Sequence, residues 1–291
     1  MAVVATGFFD GVHLGHRQVI QTLVSSARQK GEEAIVVTFA QHPRAVLQQD
    51  ARELRLLNSP QEKEALLRAL GVDRVEVLPF DRAFARLTAE QYVRTVLQER
   101  LGATRLVLGY DNRLGSDRLT PDLIAPLAQS LGLEVVIVPP AVVADSTTPA
   151  TAVSSTKIRE ALCRGAVDAA EAMLGYAYML RGVVVGGKQL GRTLGYPTAN
   201  LRLYDPMKLV PARGVYLTEV EVLGGHYWGM TNVGDIIETH IFDFSEDIYG
   251  LDLQIRFRRW LRAMCSFDSL DALKAQLAAD EAACRRMLGS L

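Results

Sequence analysis

The sequence predicts an α/β domain with a doubly wound parallel sheet, followed by a small antiparallel β-barrel domain with a C-terminal helix. Three observations predict this arrangement. Short apolar runs alternate with helical patterns over the first part of the chain, as in a parallel sheet that helices cover on both faces. Glycine-punctuated β segments then replace the alternation, which favours an antiparallel barrel. A last amphipathic pattern begins at Ser269.

Five apolar runs predict the strands of the first domain. These are Val3–Thr6, Ala34–Phe39, Val75–Pro79, Leu106–Tyr110 and Glu134–Val138. A helix is expected from about Gly15, and capping boxes at Ser59 and Thr88 predict two further helix starts. Gly71 and Gly102 are expected to end those two helices. Because ligands bind at the carboxyl ends of the strands in such sheets, the loops after the strands are the expected site.

The second domain is expected to begin at residue 177, which gives domains 1–176 and 177–291. Its predicted strands are Met179–Val185, Gly214–Val222, Tyr227–Asn232, His240–Phe244 and Asp252–Phe257. Apolar residues at helical spacing predict a closing helix after the strands. They are Leu270, Leu273, Leu277, Met287 and Leu288.

The composition limits the classes of function. The chain has 291 residues, 49% of them apolar, and a formal net charge of -1, so it lacks the strongly basic balance typical of nucleic-acid binding. The three cysteines, Cys163, Cys265 and Cys284, form no CxxC pair, which argues against a disulfide framework or a zinc site. No secretory leader is recognisable, and no apolar run approaches the roughly 20 residues of a membrane span. We expect a cytoplasmic protein that binds small molecules and binds neither nucleic acid nor a membrane. The sequence leaves the oligomeric state open.

The loop after the first predicted strand is the strongest functional signal. Gly11 and Gly15 allow a phosphate to approach the main chain closely, and the free N–H groups of the helix that follows favour an anion. His13 and His16 lie where the loop becomes a helix and could donate to phosphate oxygens as charge develops. These residues indicate nucleotide chemistry. The alternative is that the two histidines only cap a helix.

Other candidate residues lie at the same sheet edge. Ser155 and Thr156, with Ser154 before them, stand at the start of a predicted helix, where hydroxyls can cap it or bind phosphate. Arg159 follows one turn later and is suited to pairing with a phosphate. Asp111 follows the fourth strand, where a carboxylate could meet a ribose or an adenine amino group. His42 and Arg44 follow the second strand, although His42 is also compatible with an ordinary loop position.

The start of the second domain carries a second candidate phosphate loop. Its glycines, Gly186, Gly187, Gly191 and Gly195, could let the loop cover phosphates. Thr198 and Asn200, in the segment Pro197–Asn200, offer oxygen donors suited to Mg²⁺ held together with ATP phosphates. Lys188 and Arg192 could neutralise phosphates, and a solvated role explains them equally well.

Six segments together resemble the prokaryotic bifunctional riboflavin kinase/FAD synthetase family. They are GFFDGVHLGH (7–16), TFAQHPR (38–44), GYDNRLG (109–115), SSTKIR (154–159), GRTLGYPTAN (191–200) and ETHIFDF (238–244) with YG (249–250). The resemblance covers essentially the whole chain in the order of the family. It implies that a C-terminal module phosphorylates riboflavin to FMN with ATP. It also implies that an N-terminal nucleotidyltransferase module adenylylates FMN to FAD and releases pyrophosphate.

The resemblance also implies roles for individual residues. Glu238 corresponds to the base that takes the proton from the 5′-hydroxyl of riboflavin. His13, His16, Ser155, Thr156 and Arg159 would serve adenylyl transfer. The expected substrate-binding residues are Gly7, Phe9, Asp10, Gly11, Gly15, His42, Asp111, Gly187, Gly191, Gly195, Pro197 and Asn232. Mg²⁺, bound with ATP at Thr198 and Asn200, is the expected metal.

Two departures from the family pattern leave alternatives open. Asn112 and Leu114 stand where aromatic residues are more usual, in the loop that the family uses for the flavin. The segment between Asn232 and Glu238 lacks a longer loop that contains Arg-Pro-Thr in the family. An FMN adenylyltransferase with an impaired kinase domain is therefore an alternative to the bifunctional enzyme. A flavin- or nucleotide-sensing module without turnover is a third hypothesis, which the candidate catalytic residues disfavour. An enzyme acting on tRNA, disfavoured by the neutral charge, is a fourth.

Overall fold

The computed structural model describes residues 1–42, 46, 54–143, 151–187 and 190–289. Arg44 and Lys188, two of the residues that the sequence analysis singles out, lie outside the described residues. The chain divides into two compact units, Met1–Ser155 and Thr156–Leu291. The domain boundary between residues 176 and 177 stays a prediction.

The first unit contains a five-stranded parallel sheet in the order β3-β2-β1-β4-β5. Its strands are β1 (Ala2–Thr6), β2 (Glu33–Phe39), β3 (Arg74–Leu78), β4 (Ala103–Gly109) and β5 (Glu134–Val138). A separate two-stranded ribbon joins β6 (Val142–Val143) and β7 (Thr151–Ala152). The helices are α1 (Leu14–Lys30), α2 (Pro60–Ala69), α3 (Ala89–Gln91) and α4 (Pro121–Ser130). The predicted doubly wound α/β domain is therefore confirmed.

The central strand of this sheet is buried on both of its faces. All five residues of β1 are buried. Val3 and Ala5 pack in the cluster that contains apolar residues of α1, whereas Ala2 and Val4 pack in the cluster on the opposite face. This alternation fixes β1 between two hydrophobic layers, so the loop that leaves its carboxyl end starts from a rigid position.

Local sequence signals set the helix starts. Ser59 and Thr88 form the predicted capping boxes, with both reciprocal hydrogen bonds present. After α3 the chain continues as a π-helix, Tyr92–Arg100, which the sequence pattern does not distinguish from an α-helix. A short 3-10 helix, Phe84–Arg86, precedes α3.

The second unit contains a closed barrel in the order β10-β11-β12-β9-β8-β13, in which every pair of neighbouring strands is antiparallel. The strands are β8 (Met179–Val185), β9 (Ala199–Leu203), β10 (Gly214–Val222), β11 (Gly225–Val233), β12 (Ile237–Ile241) and β13 (Asp252–Arg262). Its helices are α5 (Ser155–Cys163), which begins at the last residue of the first unit, α6 (Val167–Leu174), α7 (Leu190–Thr193) and α8 (Leu270–Leu288). The predicted barrel with a C-terminal helix is confirmed.

Strand β12 differs from its predicted position. The expected strand His240–Phe244 was wrong in its bounds, because β12 spans Ile237–Ile241. A turn at Gly234, whose N–H donates to the Ile236 carbonyl at 3.1 Å, reverses the chain early. Glu238 consequently pairs with Asn232 on one side and with Asn200 on the other.

The closing helix is held to the barrel by an ion pair and by apolar contacts. Ser269 caps α8 by accepting a hydrogen bond from the Ala272 N–H at 3.1 Å. The Arg262 guanidinium donates to both carboxylate oxygens of Asp280, which is 3% exposed. Leu277 packs on the barrel core. Leu270, which was predicted to belong to the apolar face of the helix, is instead 56% exposed. Within the described part of the chain, no helix has the length and apolar character that crossing a membrane requires.

A ladder of three buried threonines generates a stability prediction. Thr231 Oγ1 lies 2.8 Å from Thr218 Oγ1 and 2.9 Å from Thr239 Oγ1, and none of the three is exposed. Thr231→Val removes the central hydroxyl and weakens the hydrogen bonding of the other two. We expect the free energy of unfolding of the barrel to fall by about 1–3 kcal/mol. Urea denaturation followed by tryptophan fluorescence isolates this unit, because the only tryptophans of the sequence are Trp228 and Trp260; an unchanged midpoint would contradict the prediction.

Candidate active sites

The loop after β1 is held in an unusual backbone conformation. Gly11 has φ of 86°, and the non-glycine residues Phe9 and Val12 have φ of 53° and 37°, a region that β-branched residues rarely adopt. Asp10 stabilises this path, because its Oδ1 accepts hydrogen bonds from Leu57 N at 2.9 Å and from Asn58 N at 3.3 Å. Strained backbone that surrounding contacts maintain is characteristic of functional sites.

Ser155 reaches the same loop from the other end of the first unit. Its hydroxyl donates to the Asp10 main-chain oxygen at 2.8 Å. The structure therefore brings Ser155 to the His13–His16 loop, as the sequence predicts for a common site. Thr156 and Arg159 follow Ser155 on α5.

The two histidines stack at the start of α1. Their ring centroids are 3.6 Å apart with an angle of 15° between the planes. His13 caps the helix, because its Nδ1 accepts from the His16 N–H at 3.3 Å; in a neutral ring the proton is then on Nε2. The capping role and a phosphate-binding role are thus compatible.

Burial and neighbouring positive charge keep His16 neutral. Desolvation, then His13 and then Lys63, lower the pKa of His16 well below its ordinary value of 6.5. Its Nδ1 is buried and has no hydrogen-bond partner among the described residues. A bound anion would favour the protonated ring, so this pair of imidazoles can respond to phosphate.

An aromatic cavity of about 600 Å³ opens beside the loop at the carboxyl edge of the sheet. Five aromatic rings line it: Phe8, Phe39, Phe80, Phe84 and Tyr92. Thr6 and Tyr92 contribute a hydroxyl pair 2.8 Å apart, and Arg113 and Arg118 line it as well. A cavity of this size with aromatic walls and few polar groups suits a planar ring system.

Four further residues of the first unit that the sequence analysis singles out have different surroundings. His42 contacts the Phe8 ring edge-on, with centroids 4.5 Å apart. Asp111 is exposed, two residues after β4, the strand beside β1. Phe9 is 6% exposed and packs in the core, so its side chain supports the loop. Asn112 donates from Nδ2 to the Thr6 carbonyl at 3.1 Å.

In the second unit, strand pairing places Glu238 between two amides. The Asn232 Nδ2 group donates to Glu238 Oε2 at 3.5 Å. On the other side, the Asn200 amide in its satisfied orientation donates to Glu238 Oε1 at 3.2 Å and accepts from Gly187 N at 3.2 Å. A Cβ at residue 187 would lie 1.7 Å from the Asn200 amide, so any larger residue here would force the Asn200 side chain to move. The carboxylate is therefore oriented from both sides.

Two cavities of this unit share Thr198 in their linings. One of about 430 Å³ is lined by Arg192, Pro197, Thr198 and the segment 244–249. The other, of about 250 Å³, contains Glu238, Asn232 and Thr198 together with apolar residues of α8. Asn232 Oδ1 is buried and accepts no hydrogen bond within the described residues, so it is available to a ligand. Thr198 thus lines both cavities, whereas Glu238 lines only the smaller one.

The oxygen donors of the second unit fit a magnesium ion bound with phosphates. Thr198 supplies a hydroxyl and Asn200 an amide oxygen, both of the hard type that Mg²⁺ prefers. The described residues contain no group of three or more His, Cys, Asp and Glu side chains that could hold a metal ion alone.

Sequence reasoning missed several residues at these sites. The five aromatic rings come from four different segments of the chain, and their spacing carries no periodic signal. Lys63 occupies the middle of a capped helix, where a lysine is normally solvated, yet it is 6% exposed. Arg262 and Asp280 are 18 residues apart, and only the barrel and α8 bring them together.

The depressed pKa of His16 predicts its titration. Of the five histidines, His16 should keep a neutral ring through pH 6.5 and gain a proton only well below that pH, because burial disfavours the charged form. Addition of Mg²⁺ and ATP should move its titration to higher pH. Histidine-detected NMR of the full chain, with a His16→Gln variant for assignment, measures both effects. Titration of His16 near 6.5 without nucleotide would contradict this account.

Comparisons with known proteins agree with the two-site arrangement. An FAD synthetase family model matches residues 1–157, and a riboflavin kinase family model matches residues 174–288. Bifunctional riboflavin kinase/FMN adenylyltransferases from Listeria monocytogenes and from Escherichia coli K12 are each 35% identical over 99% of this chain and 93% of theirs. A crystal structure described as a macrolide-efflux protein from Streptococcus pneumoniae is 36% identical, with a TM-score of 0.88 over 98% of this chain and 93% of that one. The chain belongs to the bifunctional riboflavin kinase/FMN adenylyltransferase family.

Proposed function

We propose that this protein phosphorylates riboflavin to FMN and adenylylates FMN to FAD, using ATP in both reactions. One observation carries the proposal. The described structure has two separate candidate sites, one built on the loop after β1 and the other around Glu238 in the barrel, and these two segments lie within the residues that match the FAD synthetase and riboflavin kinase family models, respectively. Family membership over the whole chain supports both activities together.

In the kinase reaction, Glu238 acts as the general base. The 5′-hydroxyl oxygen of riboflavin forms a bond to the γ-phosphorus of ATP, its proton passes to Glu238, and ADP leaves. Asn200 and Asn232 orient the carboxylate, and a positioned base typically contributes ~10²–10⁴-fold. We assign riboflavin to the smaller cavity, which contains Glu238, and ATP to the larger one. Gly187, Gly191, Gly195 and Pro197 shape the loop between them.

Mg²⁺ would be held by Thr198 and Asn200 together with ATP phosphates. When bound, the ion neutralises phosphate charge. The chain's own contribution is the Thr198 side chain, which lines both cavities.

In the adenylyl reaction, a phosphate oxygen of FMN forms a bond to the α-phosphorus of ATP, and pyrophosphate leaves. The FMN phosphate is already ionised at neutral pH, so alignment and charge stabilisation are what the protein supplies. His13, His16, Ser155, Thr156 and Arg159 are the proposed catalytic residues. The loop residues Gly7, Phe9, Asp10, Gly11 and Gly15 shape the nucleotide site, with His42 and Asp111 at its edge.

The aromatic cavity of the first unit is the proposed place for the flavin ring of FMN. Rings from four segments line it, which compensates for Asn112 and Leu114 in the family's flavin loop. The polar pair Thr6 and Tyr92 can meet the polar edge of the flavin.

The bifunctional proposal is favoured over an adenylyltransferase with an impaired kinase. The short segment after Asn232 forms a tight hairpin that sets Asn232 opposite Glu238. The candidate base and its partners are therefore assembled despite the missing loop. The proposal includes ATP, riboflavin and FMN as the partners, without nucleic acid or membrane, and a cytoplasmic location.

A product assay tests the proposal. Full-length protein with riboflavin, ATP and Mg²⁺ should form FMN and then FAD, with ADP and pyrophosphate as co-products, and more than one equivalent of each flavin per chain should accumulate. Chromatography of the flavins measures both steps. If supplied FMN is not converted to FAD, the adenylyltransferase activity is rejected. If FAD forms from FMN but not from riboflavin, the single-activity alternative is favoured.

Substitutions at Glu238 should separate the two reactions. Glu238→Gln keeps the shape but cannot accept the proton, so FMN formation should fall by about 10²-fold or more. Gly187→Ala should have a similar effect, because its Cβ would displace Asn200. FAD formation from supplied FMN should be retained in both variants. Glu221→Gln is the matched control, because Glu221 forms an ion pair with Arg256 and lines neither cavity. Equal loss of both reactions would contradict separate sites.

A further inference from the structure

Lys63 is a buried titratable group in the first unit for which the proposed mechanism has no role. It lies on α2, and only 6% of it is exposed. Lysine is rarely buried to this extent unless its charge serves a purpose, because desolvating an ammonium group is costly. Its neighbours on the same helix do not account for it, since Glu62 caps the helix and Glu64 pairs with Arg68.

The contacts of Lys63 join the loop after β1 to the carboxyl end of β2. Its Nζ donates to the Phe8 carbonyl at 3.1 Å and to Thr38 Oγ1 at 3.0 Å. Thr38 Oγ1 in turn donates to the Phe8 carbonyl at 3.1 Å. The ammonium also lies 4.0 Å from the centre of the Phe8 ring, a cation–π geometry. Three contacts, two from Lys63 and one from Thr38, therefore fix Phe8, the second residue of the loop after β1.

The charges around Lys63 belong to the same site. Asp10, on the loop after β1, favours its ammonium form. His16, on α1, is close enough that Lys63 lowers its pKa, and His13 stacks on His16. From β2 the facing group is the uncharged Thr38, and beyond Phe8 lies His42. Lys63 thus adds positive charge to the histidine pair that the proposed function assigns to the triphosphate.

We propose that Lys63 is a positioning residue for adenylyl transfer, which clamps the Phe8 carbonyl to Thr38 and places a positive charge behind the loop that binds the ATP triphosphate. This inference rests on the proposed adenylyltransferase function and goes beyond it by naming a residue that does not touch the substrate. The clamp fixes the geometry of Phe9 to His16, and the charge favours the anionic ligand.

The titration of Lys63 gives the proposal a distinctive readout. Burial lowers the pKa of Lys63 from 10.5 to about 8, with Asp10 opposing the shift. Above about pH 8 the free protein therefore loses this charge, and kcat/KM for ATP, which reports the free enzyme, should decline. A bound triphosphate favours the charged form, so kcat should hold to higher pH than kcat/KM does.

The test compares Lys63→Met and Lys63→Arg with Lys30→Met in full-length protein. Lys30 lies in the same unit, but it forms an exposed ion pair with Glu134. FAD formation from FMN is measured as a function of ATP concentration and pH, and phosphorylation of riboflavin in the same samples reports on the second unit. We expect Lys63→Met to lower kcat/KM for ATP by about 10- to 100-fold. Lys63→Arg should recover most of that loss and should abolish the alkaline decline, because a guanidinium does not titrate there.

The outcomes separate this inference from the function on which it rests. Wild-type protein that makes no FAD would reject the function itself. Wild-type protein that makes FAD, with Lys63→Met equal to Lys30→Met, would overturn the role of Lys63. Thermal denaturation shows whether Lys63→Met is folded at the assay temperature. If it is unfolded there, the activity and pH profile of Lys63→Arg test the proposal. Folded Lys63→Arg that keeps the wild-type alkaline decline, or that fails to make FAD, would also overturn the proposal.

Discussion

Strand pairing is the constraint on which both candidate sites depend. In the first unit, β1 lies between β2 and β4, so the loops that follow these parallel strands meet at one edge. In the barrel, β12 lies between β9 and β11, so Asn200 and Asn232 flank Glu238. In both cases the backbone ladder determines which side chains meet, and a one-residue slip of β12 would turn Glu238 to the other face.

The two units solve different electrostatic problems. In the proposed function the first unit holds a highly charged triphosphate. The pKa of His16 is depressed, so the histidine pair can gain a proton when an anion arrives, whereas the buried Lys63, with a pKa of about 8, is already charged near neutral pH. The second must accept a proton from a neutral hydroxyl, and it offers a carboxylate oriented by two amides. Neither arrangement would serve the other reaction, which gives a physical reason for two sites on one chain.

Local signals in the sequence predicted much of the fold. Capping boxes at Ser59 and Thr88 and the apolar runs of the parallel strands depend on neighbouring residues, and both are confirmed. The residues of the candidate sites were harder to predict from the sequence. Residues in contiguous motifs, such as His13 and Glu238, could be named, whereas Lys63, Phe80 and Phe84 become site residues only through the packing of distant segments. The missed bounds of β12 have the same origin, because the turn at Gly234 sets the register and hydrophobic alternation does not.

The central claim is that one chain carries two nucleotide sites, one at the loop after β1 and one in the barrel. A crystal structure of the protein with Mg²⁺ and a non-hydrolysable ATP analogue tests it most directly. The account predicts two analogue molecules per chain. One should have its phosphates at His13 and His16, and the other should have its phosphates beside Thr198. A single nucleotide at saturating analogue, or phosphates bound away from both loops, would contradict it.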